Sequence, residues 1–207
     1  MNYMNEKRQV AAFMRRLYQQ KLTTTSGGNI SCRTDDHKIL LTPSGLDKSV
    51  LEPSHIGVLT ETGENLTPEL RPSIELQMHL AVYEARPDVQ AIVHAHPVTA
   101  TAFCASRRKI NCRYIAESYV IVGDPVTVPY ACMGTTELAD NVGESAVHSS
   151  CLLLANHGVL AAGKTLLTAF NKIEVLEEAA RINLVLDQLG DSIPLDEAQL
   201  AQLTQAE

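Results

Sequence analysis

Hydrophobic and polar positions alternate along this chain with two different periods, which predict a mixture of helices and strands. Residues 5–20 repeat apolar side chains every three to four positions, a spacing typical of an amphipathic helix. Turn residues and apolar spacing predict further helices over 73–86, 98–105, 135–147 and 165–190. Short apolar runs predict strands over 29–33, 38–42, 56–60, 89–95, 151–155 and 159–162, with strand-like segments over 119–130.

The order of these elements favours one fold class. Ser73 is the predicted N-cap of the second helix, Pro87 ends that helix, and a turn at 156–158 joins two strands as a hairpin. No Gly-x-Gly-x-x-Gly follows a strand, which disfavours a doubly wound nucleotide-binding fold. We predict an α/β or α+β protein with a mainly antiparallel sheet and one domain over 1–207. The tail from about 191 is peripheral, either a short polar helix or disordered.

Composition and charge then exclude some classes of function. The 207 residues carry a formal net charge of −7, which argues against a nucleic-acid or anionic-membrane partner. No apolar stretch approaches the ~20 residues that span a bilayer, and the N-terminus has no apolar leader. The five cysteines are scattered and form no Cys-x-x-Cys pair. These features predict a cytoplasmic protein in a reducing compartment, with no membrane contact.

Two histidines lie at the end of a short apolar run that begins at residue 91, and they suggest a metal site. In an extended strand, His94 and His96 present their imidazoles to the same face. A third histidine, His157, follows another apolar run, and Glu75 lies near a predicted helix start. A single histidine would be interpreted as a packed residue, and for His79 we favour packing. Three imidazoles and a carboxylate instead suit a zinc-type ion that keeps one position open.

Glu75 allows two interpretations. In the first turn of a helix, its carboxylate is stabilised by the helix dipole. Beside a cation it could act as a ligand, and as a base once displaced by substrate. Its alternative role is that of an ordinary acid at a helix N-terminus, and the sequence leaves both open.

Two small-residue turns precede these residues and suggest a site for an anion. The segments Ser26-Gly27-Gly28-Asn29 and Thr42-Pro43-Ser44-Gly45 offer backbone N–H groups without bulk. Ser73, near a helix N-terminus, adds a hydroxyl. Together they could form a neutral cradle for a phosphate, although each one alone is more often only a turn.

Five motifs occur in a fixed order over residues 5–190. They are Ser-Gly-Gly-Asn-Ile-Ser, Thr-Pro-Ser-Gly, Pro-Ser-x-Glu, Val-His-Ala-His-Pro and Asn-His-Gly. In this set and order the chain resembles the class II aldolase/adducin family.

The resemblance implies a fold, a cofactor and a set of site residues. The fold would be a three-layer α/β/α sandwich around a mainly antiparallel sheet, in homotetramers with active sites at subunit contacts. It implies zinc held by His94, His96 and His157, with manganese or cobalt also fitting, and Glu75 as a resting ligand that becomes the acid/base. The residues that match the family's phosphate-binding positions are Gly28, Asn29, Ser44, Gly45 and Ser73.

The chain departs from the aldolase pattern at two places. Ile74 stands where the phosphate site usually has a second serine, which removes one hydroxyl donor. The tyrosine expected about twenty residues after the His-x-His pair has no direct match, so that the adjacent Tyr114 is the candidate proton donor. The tail from Pro194 to Glu207 has no tyrosine.

By resemblance, the expected activity is that of a zinc-dependent aldolase acting on a small sugar phosphate. It would cleave a ketose 1-phosphate such as fuculose 1-phosphate into dihydroxyacetone phosphate and a small aldehyde. Two alternatives within the family are a pentulose-phosphate epimerase and a methylthioribulose-phosphate-type dehydratase. A non-catalytic scaffold like the adducin head would not need to keep the three histidines and the acid.

Overall fold

A computed structural model describes residues 3–204, whose strands join in one sheet. The strands are β1 Asn29–Arg33, β2 Lys38–Leu41, β3 Gly57–Thr60, β4 Ala91–Ala95, β5 Val126–Val128, β6 Cys151–Leu154 and β7 Gly158–Gly163. Their order in the sheet is β3-β2-β1-β4-β7-β6-β5. Only the pair β5 and β6 is parallel among the described strands, and the other pairs are antiparallel.

Helices cover both faces of this sheet. They are α1 Met4–Gln19, α2 Leu76–Ala85, α3 Val98–Cys104, α4 Ala116–Val122, α5 Thr136–Ala146, α6 Leu166–Leu189 and α7 Glu197–Thr204. None of the helices within residues 3–204 combines the length and the apolar character that crossing a membrane requires.

Alternation along the strands divides the apolar core into two layers. Val93 of β4 points to the layer that contains Met14 of α1 and Phe170 of α6. Its neighbour Ile92 points to the opposite layer, beside Met78 of α2. The fold is therefore the predicted three-layer α/β/α sandwich around a mainly antiparallel sheet.

The prediction of strand-like structure over 119–130 was wrong for its first part. Residues 116–122 form α4, and only Val126–Val128 is a strand. The apolar run at 119–122 fits either period, but Ser118 and Val122, four residues apart, are both buried. Gly123, with a φ of +69°, ends the helix in a conformation that favours glycine.

The start of α2 also differs from the prediction. The helix begins at Leu76, so that Glu75, not Ser73, occupies the N-cap position. The Ser73 hydroxyl instead accepts hydrogen bonds from the Glu75 N–H at 3.3 Å and from Asn29 Nδ2 at 3.1 Å. Glu75 makes no side-chain cap bond, and its carboxylate is directed to other partners.

The segment after α6 contains a helix and packs on the rest of the protein. Of the two alternatives left open for this tail, the described residues form the helix α7. Leu200 is 2% exposed, and the Leu195 N–H donates to the Arg113 carbonyl at 2.8 Å. Arg113 also pairs with Glu197 at 2.7 Å, which joins the helix to the loop before α4.

Candidate active site

The candidate site lies at the end of the central strands of the sheet. His94 is in β4, which lies between β1 and β7, and His96 follows one residue after the strand end. His157 is in the turn between β6 and β7, whose antiparallel pairing confirms the predicted hairpin. Glu75 precedes α2 on the adjacent layer. Local sequence signals thus place these four residues on three segments, and the fold brings those segments together.

The three histidines converge on one point. The ring centroid of His94 lies 4.8 Å from the ring centroid of His96 and 4.8 Å from that of His157. The centroids of His96 and His157 are 5.5 Å apart. One ligand nitrogen from each ring can be chosen so that all three lie within 4.8 Å of one another. His94 Nδ1 donates to the Val159 carbonyl at 2.9 Å, which leaves the lone pair of this neutral ring on Nε2, facing the centre.

The Glu75 carboxylate closes the fourth side of this cluster. Its Oε1 lies 3.0 Å from His157 Nε2, and its Oε2 lies 3.3 Å from His94 Nε2. Burial alone raises the pKa of Glu75, but the His94 and His157 imidazoles and the Asn29 amide outweigh burial and hold that pKa well below its usual range. The carboxyl is therefore an anion at neutral pH.

The donor set fits a divalent cation. Glu75 Oε1 is buried and makes no hydrogen bond of normal geometry among residues 3–204, although His157 Nε2 lies 3.0 Å away, and the Nε2 atoms of His94 and His96 also lie 3.0 Å apart. Burial, followed by the neighbouring imidazoles, lowers the pKa of His96 to about 3, and burial lowers that of His94. Three imidazole nitrogens and an anionic carboxylate around one point could hold a metal ion.

A chain of buried hydrogen bonds leads away from Glu75. Asn29 Nδ2 donates to Glu75 Oε2 at 2.7 Å, and Asn29 Oδ1 contacts His79 Nε2. His79 Nδ1 lies 2.7 Å from the Ser31 hydroxyl, which lies 2.8 Å from the Tyr83 hydroxyl. Each of these side chains belongs to β1 or to the segment that contains Glu75 and α2, so the chain joins the sheet to that helix.

The charge of Glu75 fixes the direction of every bond in this chain. A carboxylate only accepts, so Asn29 must present its NH₂ to it and its oxygen to His79. His79 must then donate from Nε2 and accept at Nδ1, where the Ser31 hydroxyl donates. Burial lowers the pKa of His79 to about 3, which agrees with a neutral ring. His79 is packed, as predicted, and it also orients Asn29.

The residues predicted to bind phosphate line one cavity beside this cluster. The cavity has a volume of about 440 Å³, and Gly28, Asn29, Ser44, Gly45 and Ser73 all contribute to its wall. Gly28 has a φ of +67°, and a Cβ there would lie 2.7 Å from the His94 carbonyl, so this position requires glycine. The Asn29 amide is already engaged by Glu75 and Ser73, so it faces the carboxylate as well as the cavity.

Tyr114 is not brought to the site within one chain. It belongs to the 3-10 turn Cys112–Tyr114, and its hydroxyl lies 3.2 Å from the Ser192 Oγ. Within residues 3–204, it is not part of the cavity wall.

Sequence reasoning did not single out Lys48, which lines the same cavity. The residue lies in a polar turn, where a lysine carries no signal of burial, yet it is only 2% exposed. Met133 also borders the cavity and was likewise not expected.

Comparisons with known proteins agree with this geometry. Residues 8–184 match the family model described as Class II Aldolase and Adducin N-terminal domain. The chain is 36% identical over 173 residues to an L-fuculose phosphate aldolase of Methanococcus maripaludis, covering 84% of this chain and 93% of the relative. It is 35% identical over 176 residues to a 3-oxo-tetronate 4-phosphate decarboxylase of Haemophilus influenzae, covering 83% of each.

A solved structure of an L-fuculose 1-phosphate aldolase also matches, with a TM-score of 0.91 and 31% identity. The match covers 100% of this chain and 97% of the other. The fold and site define a lyase with a histidine and carboxylate cluster that could hold a metal ion. The chain belongs to the class II aldolase/adducin family, whose aldolases depend on a metal.

Proposed function

We propose that this protein is a zinc-dependent aldolase that cleaves a ketose 1-phosphate into dihydroxyacetone phosphate and a small aldehyde. The observation that carries the proposal is the position of Glu75, whose two carboxylate oxygens face His157 at 3.0 Å and His94 at 3.3 Å. An anionic carboxylate at this point can serve both as a ligand and as the group that exchanges a proton with substrate. Three imidazoles would leave room for substrate oxygens at the same centre.

The chain's own residues would carry the proton and fix the substrate. In cleavage, the bond between C3 and C4 breaks, the C4 hydroxyl loses its proton and becomes the aldehyde, and C3 takes up a proton. The anionic Glu75 would take up the proton that the C4 hydroxyl loses and return a proton at C3, with Asn29 holding its Oε2. The bound divalent cation would supply Lewis-acid stabilisation of the negative charge that the cleavage leaves.

Ser73 and Ser44 would bind the phosphate end of the substrate. The Ser73 hydroxyl oxygen accepts from Asn29 Nδ2 and from the Glu75 N–H, which leaves its own hydrogen free to donate. Ser44 lines the same cavity beside Gly45. These donors lie on the wall that also contains Glu75, so one substrate could reach both groups.

A screen of the metal-loaded protein against ketose 1-phosphates tests this function. We expect release of dihydroxyacetone phosphate and an aldehyde in equal amounts, and loss of both products after treatment with a chelator. Absence of carbon–carbon cleavage with every ketose 1-phosphate would contradict the proposal. Epimerised pentulose phosphate, or a dehydrated product, would favour the alternatives within the family.

A second candidate reaction is decarboxylation, which the relative named 3-oxo-tetronate 4-phosphate decarboxylase supports. Loss of CO₂ from such a β-keto acid leaves the same three-carbon ketone phosphate as aldol cleavage. Because both reactions yield dihydroxyacetone phosphate, that product alone does not separate them. Detection of an aldehyde supports cleavage of the sugar, and detection of CO₂ from the keto acid supports decarboxylation.

The proposal includes a homotetramer in the cytoplasm with active sites at subunit contacts. Ile74 and Met133 border the cavity and are 50% and 56% exposed, which is unusual for apolar side chains beside a polar site. A second subunit covering this edge would bury them. Analytical ultracentrifugation tests the tetramer, and a monomer at micromolar concentration would contradict it.

A further inference from the structure

Lys48 carries a buried charge between the two loops of the cavity. It is the first residue of the 3-10 turn Lys48–Val50, and its side chain is enclosed so that the residue is 2% exposed. Its Nζ donates to the Pro43 carbonyl at 2.6 Å, and its backbone N–H donates to the Thr25 carbonyl at 3.0 Å. Lys48 is thus fixed to both the 24–28 loop and the 43–45 loop.

This ammonium group has no anionic partner in the part of the chain that the structure describes. Among residues 3–204, no carboxylate oxygen lies within 4.0 Å of Lys48 Nζ. Burial lowers the pKa of Lys48 to about 8, and Glu75 at longer range opposes that shift. A lysine that is almost fully buried is normally paired, because an unpaired charge in a poorly solvated place is costly. Among the described residues, only one of its three N–H groups is used, by the Pro43 carbonyl.

We propose that Lys48 binds the phosphate group of the substrate, which supplies the counter-ion that its ammonium lacks. The inference rests on the proposed function, since a phosphorylated substrate is part of that function. Lys48 lines the same cavity as Ser44 and Ser73. A dianion there would accept from the two remaining N–H groups of Lys48 and from the serine hydroxyls.

The assignment changes the character of the cavity. The small-residue turns alone predicted a neutral cradle built from N–H and hydroxyl donors. With Lys48 in its wall the cavity favours an anionic ligand over the corresponding neutral sugar. The lysine therefore distinguishes phosphorylated from unphosphorylated substrates.

Binding of inorganic phosphate tests the inference without any turnover. The metal-loaded protein is compared as wild type, Lys48→Met and the control Lys172→Met. Lys172 is a suitable control because its Nζ also donates to a backbone carbonyl, that of Ala162 at 3.0 Å, but outside this cavity. Sodium phosphate is titrated against sodium chloride at equal ionic strength, and the melting temperature and the phosphate Kd are measured.

We expect phosphate to raise the melting temperature of the wild type and of Lys172→Met, and to raise that of Lys48→Met much less at the same phosphate concentration. The phosphate Kd of Lys48→Met should rise at least about tenfold, the loss of one charge-assisted hydrogen bond. Unchanged phosphate binding in Lys48→Met, equal loss in both variants, or no binding by the wild type would overturn the proposal. If Lys48→Met fails to fold, Lys48→Gln keeps a donor for Pro43 and removes only the charge.

A carboxylate is the other anion that this lysine could bind. Glycolate, which has a carboxylate and no phosphate, is therefore titrated in parallel. Glycolate binding that depends on Lys48, without phosphate binding, would overturn the assignment to phosphate. Failure of the phosphate titration together with normal release of dihydroxyacetone phosphate would refute only the role of Lys48. Loss of cleavage with intact phosphate binding would refute only the proposed reaction.

Discussion

The amide of Asn29 is held between Glu75 and His79, with its nitrogen 2.7 Å from Glu75 Oε2 and its oxygen at His79 Nε2. His79 is fully buried on α2 and is not itself among the described residues that line the cavity, and its ring bonds go to Asn29 and Ser31 rather than to the histidine cluster. The orientation of a side chain beside the candidate acid/base is thus set by a residue outside the site. This arrangement assigns His79 a positioning role.

Replacing His79 with leucine should lower kcat because Asn29 loses the donor that fixes its amide. If the amide turned over, its oxygen would face the Glu75 carboxylate, and two acceptors would be opposed. We expect kcat to fall about tenfold or more, with a smaller change in KM, and a loss of about 1–3 kcal/mol in the free energy of unfolding.

His79→Gln is the matched rescue for that variant, since its amide can still donate to Asn29. His79→Gln should recover part of kcat because it restores the donor. If His79 only filled space in the core, kcat would not depend on whether the side chain at position 79 can donate a hydrogen bond. Steady-state kinetics and urea unfolding of the two variants are the measurements. Equal kcat for His79→Leu and wild type would show that Asn29 does not need His79.

Acidification should destabilise the metal-free fold partly through His79. Its pKa in the folded state is about 3, against an ordinary value of 6.5, so the unfolded chain binds the proton first. Between those values stability falls as the pH falls, by up to about 1.4 kcal/mol per pH unit for one group. Above pH 6.5 this contribution to the pH dependence disappears.

His79→Gln isolates this effect, since His94 and His96 stay in both proteins. Urea unfolding of chelated protein at pH 7.5 and pH 5 should show a smaller loss of stability in the variant than in the wild type. An identical loss of stability in both proteins would show that His79 takes up its proton as readily in the folded state as in the unfolded state.

Removal of one imidazole should abolish metal binding. His94→Ala deletes the ring that faces both His96 and Glu75, so the remaining donors no longer surround one point. We expect the metal content to fall from about one ion per chain to near zero, together with turnover. His37→Ala, at a side chain 73% exposed, is the control and should keep both. Elemental analysis after dialysis gives the result, and full metal content in His94→Ala would contradict the site.

Glu75→Gln should separate the proton chemistry from the shape of the site. The amide keeps the size of the side chain and can still accept from Asn29, but it cannot take up a proton. We expect kcat to fall about 10²- to 10⁴-fold, the usual contribution of a general acid/base. Glu84→Gln, on the exposed side of α2, should match the wild type. A kcat within a few-fold of wild type for Glu75→Gln would assign the proton transfer elsewhere.

Much of the fold followed from local pattern, because period-2 alternation and turn residues act within a few positions. His94 and His96 were placed on one face by strand geometry alone, and the turn at 156–158 carried His157. The apolar residues 119–122 were misread because a short run fits either period, and only packing selects the helix. The burial of Lys48 in the cavity wall and the bond between His79 and Asn29 could not be predicted in this way. They depend on contacts made by the folded chain, which no local pattern contains.

Gly158 controls the position of His96, although the two residues belong to different strand ends. A Cβ at position 158 would collide with His96 Cδ2 and would lie 2.8 Å from the Ala95 carbonyl. Gly158→Ala must therefore move the imidazole or the start of β7, and either change displaces a nitrogen of the cluster. We expect the metal Kd to rise at least about tenfold, since ligand geometry sets affinity. Gly57→Ala is the control, because its Cβ would make only ordinary contacts at 3.5 Å. Chelator competition measures the Kd, and an unchanged value in Gly158→Ala would show that Gly158 does not control the position of His96.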